Sequence, residues 1–371
     1  MTCHHPLTAY QQTEADLTIS SQQYYKSKKL KFHEDKYHHK KIELACGHCL
    51  GCRLDHASMW ADRITLESKN WQKNCVIALT YNDPNLPLSE KGKNTLVKKH
   101  LQDFLKRLRY HEKGFETWKH PFKGIEENPI RYFACGEYGL TGTRAGNGGN
   151  PHYHIVLFNY MPDDLKFYKL NKHGQPIYKS AKIQKIWGHG FITVEDFTYE
   201  NASYVARYVQ KKAGIEPQHY HYTNEWHEEW AEDERNGKVY EKIINKREKR
   251  KYDQEQEFIV MSRGVGIGRK YWEENKEKIK RNQGIYVTTK DGTKLKPIPK
   301  YFKKLWEKEN YVEYYRFKYE REKDGIKRKM EIISQINLPG QTEEYIWSFY
   351  LKEEEKKLKQ KATALKRNEF I

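Results

Sequence analysis

The sequence predicts an α+β protein built on an antiparallel sheet with helices packed on one face. Between residues 75 and 214, short strand-like runs alternate with amphipathic segments in the order β-α-β-β-α-β-α. Tyr138–Pro151, between the second and third strands, contains five glycines and no apolar periodicity. These two strands are therefore expected to form a hairpin with a long loop. Strands joined by hairpins, with helices returning to the same side, are typical of α+β rather than parallel folds.

Each element has its own pattern in the sequence. The first strand is a buried apolar run, and it ends at Asn82–Pro84 because proline and its polar neighbours interrupt strands. The first helix places Leu101, Phe104 and Leu108 close to one stripe. The predicted strands are Val76–Tyr81, Arg131–Gly136, His152–Phe158 and Phe191–Val194, and the predicted helices are Thr95–Tyr110, Ala181–Trp187 and Asn201–Ala213.

Composition and charge limit the class of protein. The 371 residues include 68 Lys and Arg against 50 Asp and Glu, so the formal net charge is 68 − 50 = +18. A charge of this size predicts a polyanionic partner, with nucleic acid as the first candidate. The apolar fraction is 37%, but 14% of the residues are aromatic, which argues against disorder. The apolar runs are too short to span a membrane and six cysteines are too few for a disulfide scaffold. We therefore expect a cytosolic protein with reduced thiols and no membrane partner.

Three regions of different composition predict three domains. Residues 1–74 are polar and contain a cysteine-rich segment. Residues 75–215 hold most of the strand-like sequence and are expected to form the catalytic domain. Residues 216–371 are dominated by Lys, Glu, Arg and Tyr, which predicts a basic helical region that binds DNA or a host factor.

Two histidines and a glutamate form the first candidate site. His152 and His154 are two residues apart in a predicted strand, so their side chains share one face of the sheet. Glu137 ends the preceding strand, and an antiparallel return brings it beside both histidines. A carboxylate and two imidazoles with open positions suit a catalytic divalent ion that also accepts a phosphate oxygen. The alternative is that the histidines are half-buried polar residues and Glu137 is a solvated hairpin residue.

The helix predicted over Asn201–Ala213 carries a second group of reactive side chains. One face of this helix is small and apolar, so it can lie close on a sheet. The adjacent face spans about 100° of helical arc and carries Tyr204, Tyr208, Lys211 and Lys212. A phenol with a pKa near 10 is a poor nucleophile until a metal polarises the electrophile and cations stabilise the phenolate. The alternative is that both tyrosines are ordinary amphipathic packing residues.

Three cysteines recur at every third position and predict a second metal site. Thiolates at the spacing of Cys46, Cys49 and Cys52 suit Zn²⁺ or an iron–sulfur cluster. The bacterial cluster motif would place another cysteine where this sequence has His56, which favours structural zinc. Cys3 or His56 is the predicted fourth ligand. The alternative is a group of reduced thiols without metal.

Several motifs together resemble a known family. Three of them resemble, in order and type, the motifs of the HUH rolling-circle replication initiators: Leu79–Tyr81, Pro151–His154 and Tyr204–Lys212. Two tyrosines four residues apart, followed by a lysine pair, look like the subclass found in small circular single-stranded DNA phages. Further segments are similar to the replication initiator of the gokushovirus-like Microviridae: Cys46–Arg53, Leu105–Leu108 and Arg131–Gly139.

The resemblance implies an α+β fold with an HUH endonuclease core, which has an RRM-like or ferredoxin-like palm. It implies that His152, His154 and Glu137 hold Mg²⁺ or Mn²⁺ on the scissile phosphate. One tyrosine then attacks, leaving a 5′-phosphotyrosine and a free 3′-OH that primes synthesis. After one circuit the second tyrosine cleaves the regenerated origin, and the displaced strand is rejoined. Lys211 and Lys212 would steady the phenolate or the phosphate.

The expected function is therefore the initiation of rolling-circle replication of a small phage in the bacterial host cytoplasm. The expected partners are single-stranded and replicative-form origin DNA. The glycine-rich segment Gly264–Lys270 has no Gly-Lys-Ser/Thr sequence, so a host helicase is expected to separate the strands for a host polymerase. Two alternatives remain at this point. One is a relaxase or single-strand transposase with the same chemistry, and the other is a zinc-containing DNA-binding protein without catalysis.

Overall fold

A computed structural model describes most of the chain. The described backbone comprises residues 3–11, 30–34, 40–112, 118–119, 126–127, 130–139, 144–171, 174–214, 224–232, 239–247 and 254–369. Within these ranges, side chains are not described at residues 11, 40, 118–119, 126–127, 145, 208–214, 224–232, 239–247 and 362–369.

The chain divides into two compact units. The first, here called the sheet unit, comprises Trp71–Phe197 and Ile215–Val265. The second, the helical unit, comprises Met1–Asn70, Thr198–Gly214 and Gly266–Ile371. The predicted division into three domains at residues 74 and 215 stays a prediction.

The elements are numbered here in chain order. The strands are β1 Leu7–Gln11, β2 Lys40–Leu44, β3 Asn74–Tyr81, β4 Trp118–Lys119, β5 Glu126–Glu127, β6 Arg131–Gly139, β7 Asn150–Phe158, β8 Lys166–Leu170, β9 Pro176–Lys179, β10 Gly190–Asp196, β11 Asn224–Glu232, β12 Val239–Arg247, β13 Phe258–Met261, β14 Ile285–Thr289 and β15 Gly292–Lys296. The helices are α1 Leu50–Ser68, α2 Lys98–His111, α3 Ala181–Trp187, α4 Tyr199–Gly214, α5 Arg269–Arg281, α6 Lys300–Glu309, α7 Tyr311–Gln335 and α8 Glu343–Glu369.

The sheet unit is built on one seven-stranded sheet in the order β13-β6-β7-β3-β10-β9-β8. Every neighbouring pair in it is antiparallel. The prediction of an α+β protein with an antiparallel sheet is therefore confirmed. The four predicted strands correspond to β3, β6, β7 and β10, whereas the sequence patterns do not predict β8, β9 and β13.

Two helices cover one face of this sheet. Leu101, Phe104 and Leu105 of α2 share one core with residues of β3, β7 and β10. Helix α3 adds Trp187, whose indole N–H donates to the carbonyl oxygen of Thr80 at 3.1 Å. The bounds of α3 match the prediction because Ser180 caps its first turn, accepting from the N–H of Ile183 at 3.0 Å.

The helical unit has its own core. Residues of α1, α5, α6 and α7 bury apolar side chains together with those of the β14–β15 ladder, among them Leu66, Trp272, Val287, Phe302 and Phe317. Helix α4 packs along α1. Both helices bury small residues, Ala57 and Ala61 on α1 and Ala202 and Ala206 on α4, so their backbones approach closely. The sequence predicts a sheet as the partner of this small face of α4, and α1 is a partner that the helical unit supplies.

None of the described helices is both long enough and apolar enough to cross a membrane.

The tight turn into β10 gives a test of the fold. Gly190 has φ +150, and a Cβ there would lie 2.4 Å from the amide nitrogen of Asn82. Gly190→Ala should therefore lower the free energy of unfolding by about 3 kcal/mol or more, measured by urea denaturation. Gly92 is the matched control, because it also has positive φ but no atom within 4 Å of the place that a Cβ would take. Gly92→Ala should cost only about 1 kcal/mol. Equal losses in both variants would show that the close backbone approach at Gly190 is wrong.

Candidate metal site and tyrosine helix

The pairing of β6 with β7 sets the geometry of the candidate metal site. Glu137 is directly opposite His152, and Cys135 is directly opposite His154. Directly opposed residues of an antiparallel pair point to the same face, so the three predicted ligands share one face of the sheet. That face is opposite to the one covered by α2 and α3, because the alternate residues Tyr153 and Ile155 lie in the core.

Both imidazoles contact the same carboxylate oxygen. The Nε2 atom of His152 lies 2.5 Å from Oε1 of Glu137, and Nε2 of His154 lies 2.9 Å from that oxygen. The three ligand atoms all lie within 4.8 Å of one another. Glu137 is only about 5% exposed, whereas each histidine keeps some contact with solvent. The structure therefore brings the predicted carboxylate and the two predicted histidines to one point.

The protonation of the group favours cation binding. Burial raises the pKa of Glu137, but the hydrogen bonds from His152 and His154 outweigh it and hold this pKa at about 2. Burial lowers the pKa of His154, although its hydrogen bond to Glu137 opposes that change. At neutral pH the site thus holds an ionised carboxylate and a neutral His154, and these are the forms that bind metal ions.

A second contact of His152 points the same way. Its Nδ1 atom lies 2.8 Å from the carbonyl oxygen of Asn150, which can only accept a hydrogen bond. Nδ1 therefore carries a hydrogen, and in the neutral ring the lone pair of Nε2 faces Glu137. Two lone pairs at this distance need a proton or a cation between them. A backbone carbonyl on the second nitrogen is also the usual support of a metal-binding histidine.

The ligand spacing fits a hard divalent ion. Adjacent ligands of an octahedral ion with bonds of about 2.1 Å lie about 3 Å apart. The distances from Glu137 Oε1 to the two histidine nitrogens, 2.5 and 2.9 Å, are close to that spacing. Three protein ligands leave positions for water or a phosphate oxygen. The donor set therefore fits Mg²⁺ or Mn²⁺.

The sheet continues beyond the histidines with small and aromatic residues. Thr80 of β3 pairs with His152, and Phe191 of β10 pairs with Thr80. These side chains therefore lie on the same face as the metal group. Phe191 is 54% exposed, although its neighbour Ile192 is buried in the core. A row from Glu137 to Phe191 thus crosses four strands.

The predicted tyrosine helix is present as α4, in the helical unit. Its apolar face is buried as predicted, through Ala202, Val205 and Ala206. Tyr204 is 39% exposed, and the guanidinium of Arg207 lies 5.4 Å from the centroid of its ring. Only the helical backbone is described for three of the predicted catalytic residues, whose side chains lie outside the described part: Tyr208, Lys211 and Lys212.

Polar contacts fix the first turn of α4. The hydroxyl of Tyr199 donates to Asp62 on α1, and the ammonium of Lys296 lies 2.7 Å from the same carboxylate. The carboxylate of Glu200 accepts from the backbone N–H of Lys290 at 3.1 Å. These contacts tie the start of the tyrosine helix to α1 and to the β14–β15 ladder within one unit.

The predicted cysteine cluster also forms. The sulfur atoms of Cys3, Cys46, Cys49 and Cys52 all lie within 4.8 Å of one another. The structure thus brings Cys3, and not His56, into this group. Antiparallel pairing of β1 with β2 explains it, because Leu7 is opposite Leu44 and the flanking cysteines therefore meet at the end of the ladder. Cys75 and Cys135 are buried, as expected.

Comparison with known proteins places this arrangement in a family. The model of the replication-associated protein ORF2 family matches residues 74–213, a span that contains β3, β6, β7, β10 and nearly all of α4. The chain is 31% identical over 318 residues to the replication-associated protein ORF2 of Spiroplasma virus 4, which covers 84% of this chain and 81% of that protein. No solved structure matches the chain.

Two shorter similarities involve other phages. The replication-associated protein VP4 of Bdellovibrio phage phiMH2K is 34% identical over 167 residues, which is 45% of this chain and 48% of that protein. The replication-associated protein ORF4 of Chlamydia phage 1 is 31% identical over 188 residues, which is 49% of this chain and 42% of that protein. The chain belongs to the family of phage replication-associated proteins of the Microviridae.

Proposed function

We propose that the protein initiates rolling-circle replication by nicking one strand of its phage origin through a tyrosine nucleophile. The observation that carries the proposal is the convergence of His152 and His154 on one carboxylate oxygen of Glu137, on an open face of the sheet. The family supports a role in replication. The proposal adds the reaction and the residues that perform it.

Glu137, His152 and His154 hold Mg²⁺ or Mn²⁺ in this proposal. The bound ion supplies Lewis-acid polarisation of the scissile phosphate. The sheet contributes rigidity, because the three ligands lie on adjacent paired strands and the carbonyl of Asn150 fixes the ring of His152. The ligands therefore need little rearrangement when substrate arrives.

A tyrosine of α4, either Tyr204 or Tyr208, provides the nucleophile. Its oxygen forms a bond to the phosphorus as the bond to the 3′ oxygen breaks. The phenol proton passes to solvent, and the 3′ oxygen takes up a proton and leaves as a hydroxyl. One phosphodiester replaces another, so the step needs no external energy source. Lys211 and Lys212 stabilise the phenolate or the phosphate.

The second tyrosine completes the cycle. After one round of synthesis it cleaves the regenerated origin in the same way. The 3′-OH that this second cut releases attacks the first phosphotyrosine, which frees the first tyrosine and closes a circle. A pair of tyrosines four residues apart lies on one side of a helix, which suits alternating use of one metal site.

The partners of this reaction are single-stranded and replicative-form origin DNA in the host cytoplasm. The net charge of +18 favours association with that polyanion. Because the sequence has no Walker motif, a host helicase separates the strands and a host polymerase extends the 3′-OH.

Glu137→Gln tests the metal site without changing its shape. Removing the negative charge should weaken Mn²⁺ binding at least about 10-fold, measured by calorimetric titration. Asp163→Asn is the control, because that carboxylate is exposed on the same unit and lies outside the metal group. Unchanged Mn²⁺ affinity in Glu137→Gln would remove this residue from the proposed ligand set.

A single-stranded origin oligonucleotide tests the nucleophiles. With Mn²⁺, a 3′-end label should become covalently attached to protein, whereas a 5′-end label should appear on a free shorter fragment. The adduct should be absent in EDTA and in the double variant Tyr204→Phe/Tyr208→Phe. Tyr286→Phe is the control, since Tyr286 has a comparable exposure outside the motif.

Each outcome of this assay has a meaning. An adduct in the double variant would show that the nucleophiles are wrongly assigned. Attachment of the 5′ label instead would reverse the proposed polarity. Binding of the oligonucleotide without any adduct in the wild-type protein would favour a DNA-binding protein without catalysis.

A further inference from the structure

We propose that Cys3, Cys46, Cys49 and Cys52 bind one Zn²⁺ that fixes the beginning of α1. The four sulfur atoms lie within 4.8 Å of one another, and those of Cys3 and Cys49 are 4.0 Å apart. A tetrahedral zinc with Zn–S bonds of about 2.3 Å places its sulfur ligands about 3.8 Å apart. A disulfide would require about 2.05 Å.

The backbone around the cluster is arranged for negatively charged sulfur. The N–H of Cys46 donates to the sulfur of Cys3 at 3.2 Å, and the N–H of Cys49 donates to that of Cys46 at 3.4 Å. The N–H of Cys52 donates to the sulfur of Cys49 at 3.5 Å. Neutral thiols are weak acceptors, whereas four thiolates around one Zn²⁺ carry excess negative charge that such donors stabilise.

The local conformation also fits a metal-binding turn. Gly47 has φ +80, which lets the chain reverse between Cys46 and Cys49. Cys49 is the N-cap of α1, and Cys52 lies in the first turn of that helix. The positive end of the helix dipole therefore faces the thiolates.

A single ion explains the spacing better than an iron–sulfur cluster. A cluster of several iron and sulfide ions would hold the four thiolates further apart than one ion does. The separation of 4.0 Å between the sulfurs of Cys3 and Cys49 matches one tetrahedral ion.

The proposed zinc has a structural consequence within the helical unit. It joins residue 3 to the start of α1, across 43 residues from Cys3 to Cys46. Helix α1 is also the element along which α4 packs. The metal therefore supports, through α1, the helix that carries the tyrosines.

Metal analysis of the full-length protein tests the assignment. Protein purified in reducing buffer without added metal should contain one zinc per chain by mass spectrometry. Cys3→Ser and Cys46→Ser should lose that zinc on dialysis. Cys75→Ala keeps the cluster and His56→Ala removes the rival fourth ligand, so both should retain it.

Three results would overturn the proposal: wild-type protein without stoichiometric zinc, iron in place of zinc, or Cys3→Ser with full zinc content. Where a serine variant does not fold, Co²⁺ titration of metal-stripped wild-type protein gives the answer. Thiolate-to-cobalt charge-transfer bands should appear at one equivalent. Their absence would contradict a thiolate site.

A separate observation supports a second inference. We infer that Phe191 stacks on a DNA base next to the scissile phosphate, which rests on the proposed nicking function. Phe191 lies two strands from His152 on the same face, so their backbones are about 10 Å apart. An exposed aromatic ring on a sheet is a common stacking platform for single-stranded nucleic acid. Thr80, between them, leaves room for the sugar–phosphate chain.

Anisotropy titration of a labelled single-stranded origin oligonucleotide tests this role. Phe191→Leu, which removes the π face, should weaken binding about 5- to 100-fold, and Phe191→Trp should restore it. Phe167→Leu is the control, because Phe167 is a similarly exposed ring on the edge strand β8.

The two proposals fail in different ways. If wild-type protein nicks the oligonucleotide and Phe191→Leu binds it equally well, the stacking role is wrong and the nicking function stands. If Phe191→Leu and Phe167→Leu lose the same affinity, the effect is not specific to the metal-site face. Absence of any adduct with the wild-type protein contradicts the nicking function itself.

Discussion

The register between β6 and β7 is the constraint on which the candidate metal site depends. A slip of one residue would turn either Glu137 or the two histidines to the opposite face. Glu137 opposite His152 is therefore the pairing that creates the carboxylate–imidazole contact. Asn94 helps to hold the loop that closes this hairpin, because its side-chain amide donates to the carbonyl oxygen of Gly149 at 2.8 Å. Burial of the core face then fixes the register, since Tyr153 and Ile155 have no place in water.

Local sequence patterns are sufficient for the strands and helices whose partners are close in sequence. The four predicted strands are recognisable because each alternates or is continuously apolar. Helix α1 escapes prediction because its buried face includes charged residues, which a periodicity argument assigns to solvent. Arg63 donates to the carbonyl oxygen of Ile267 at 2.9 Å, and Glu67 accepts from the N–H of Gly268 at 2.6 Å. These partners lie some 200 residues away, so the burial of Arg63 and Glu67 cannot be predicted locally.

Long-range partners also explain the other differences. Strand β13 completes the sheet by pairing with β6 more than a hundred residues earlier, and it is too short to stand out by composition. The small face of α4 predicts close packing but not the identity of its partner, because alanine at the contact suits a sheet and a helix equally. The sequence likewise leaves Cys3 and His56 as equal candidates. Pairing of β1 with β2 decides between them by bringing Cys3 beside Cys46.

The chemistry proposed here explains why the protein can use such simple groups. Exchange of one phosphodiester for another is close to balanced in energy, so the protein must orient and stabilise charge rather than supply a driving force. Rigid ligands on paired strands satisfy the first need, and cations near the phosphate satisfy the second. Because the exchange is reversible, the same groups serve both cleavage and rejoining. The large positive charge then has a different task, which is to keep the polyanion bound between the two steps.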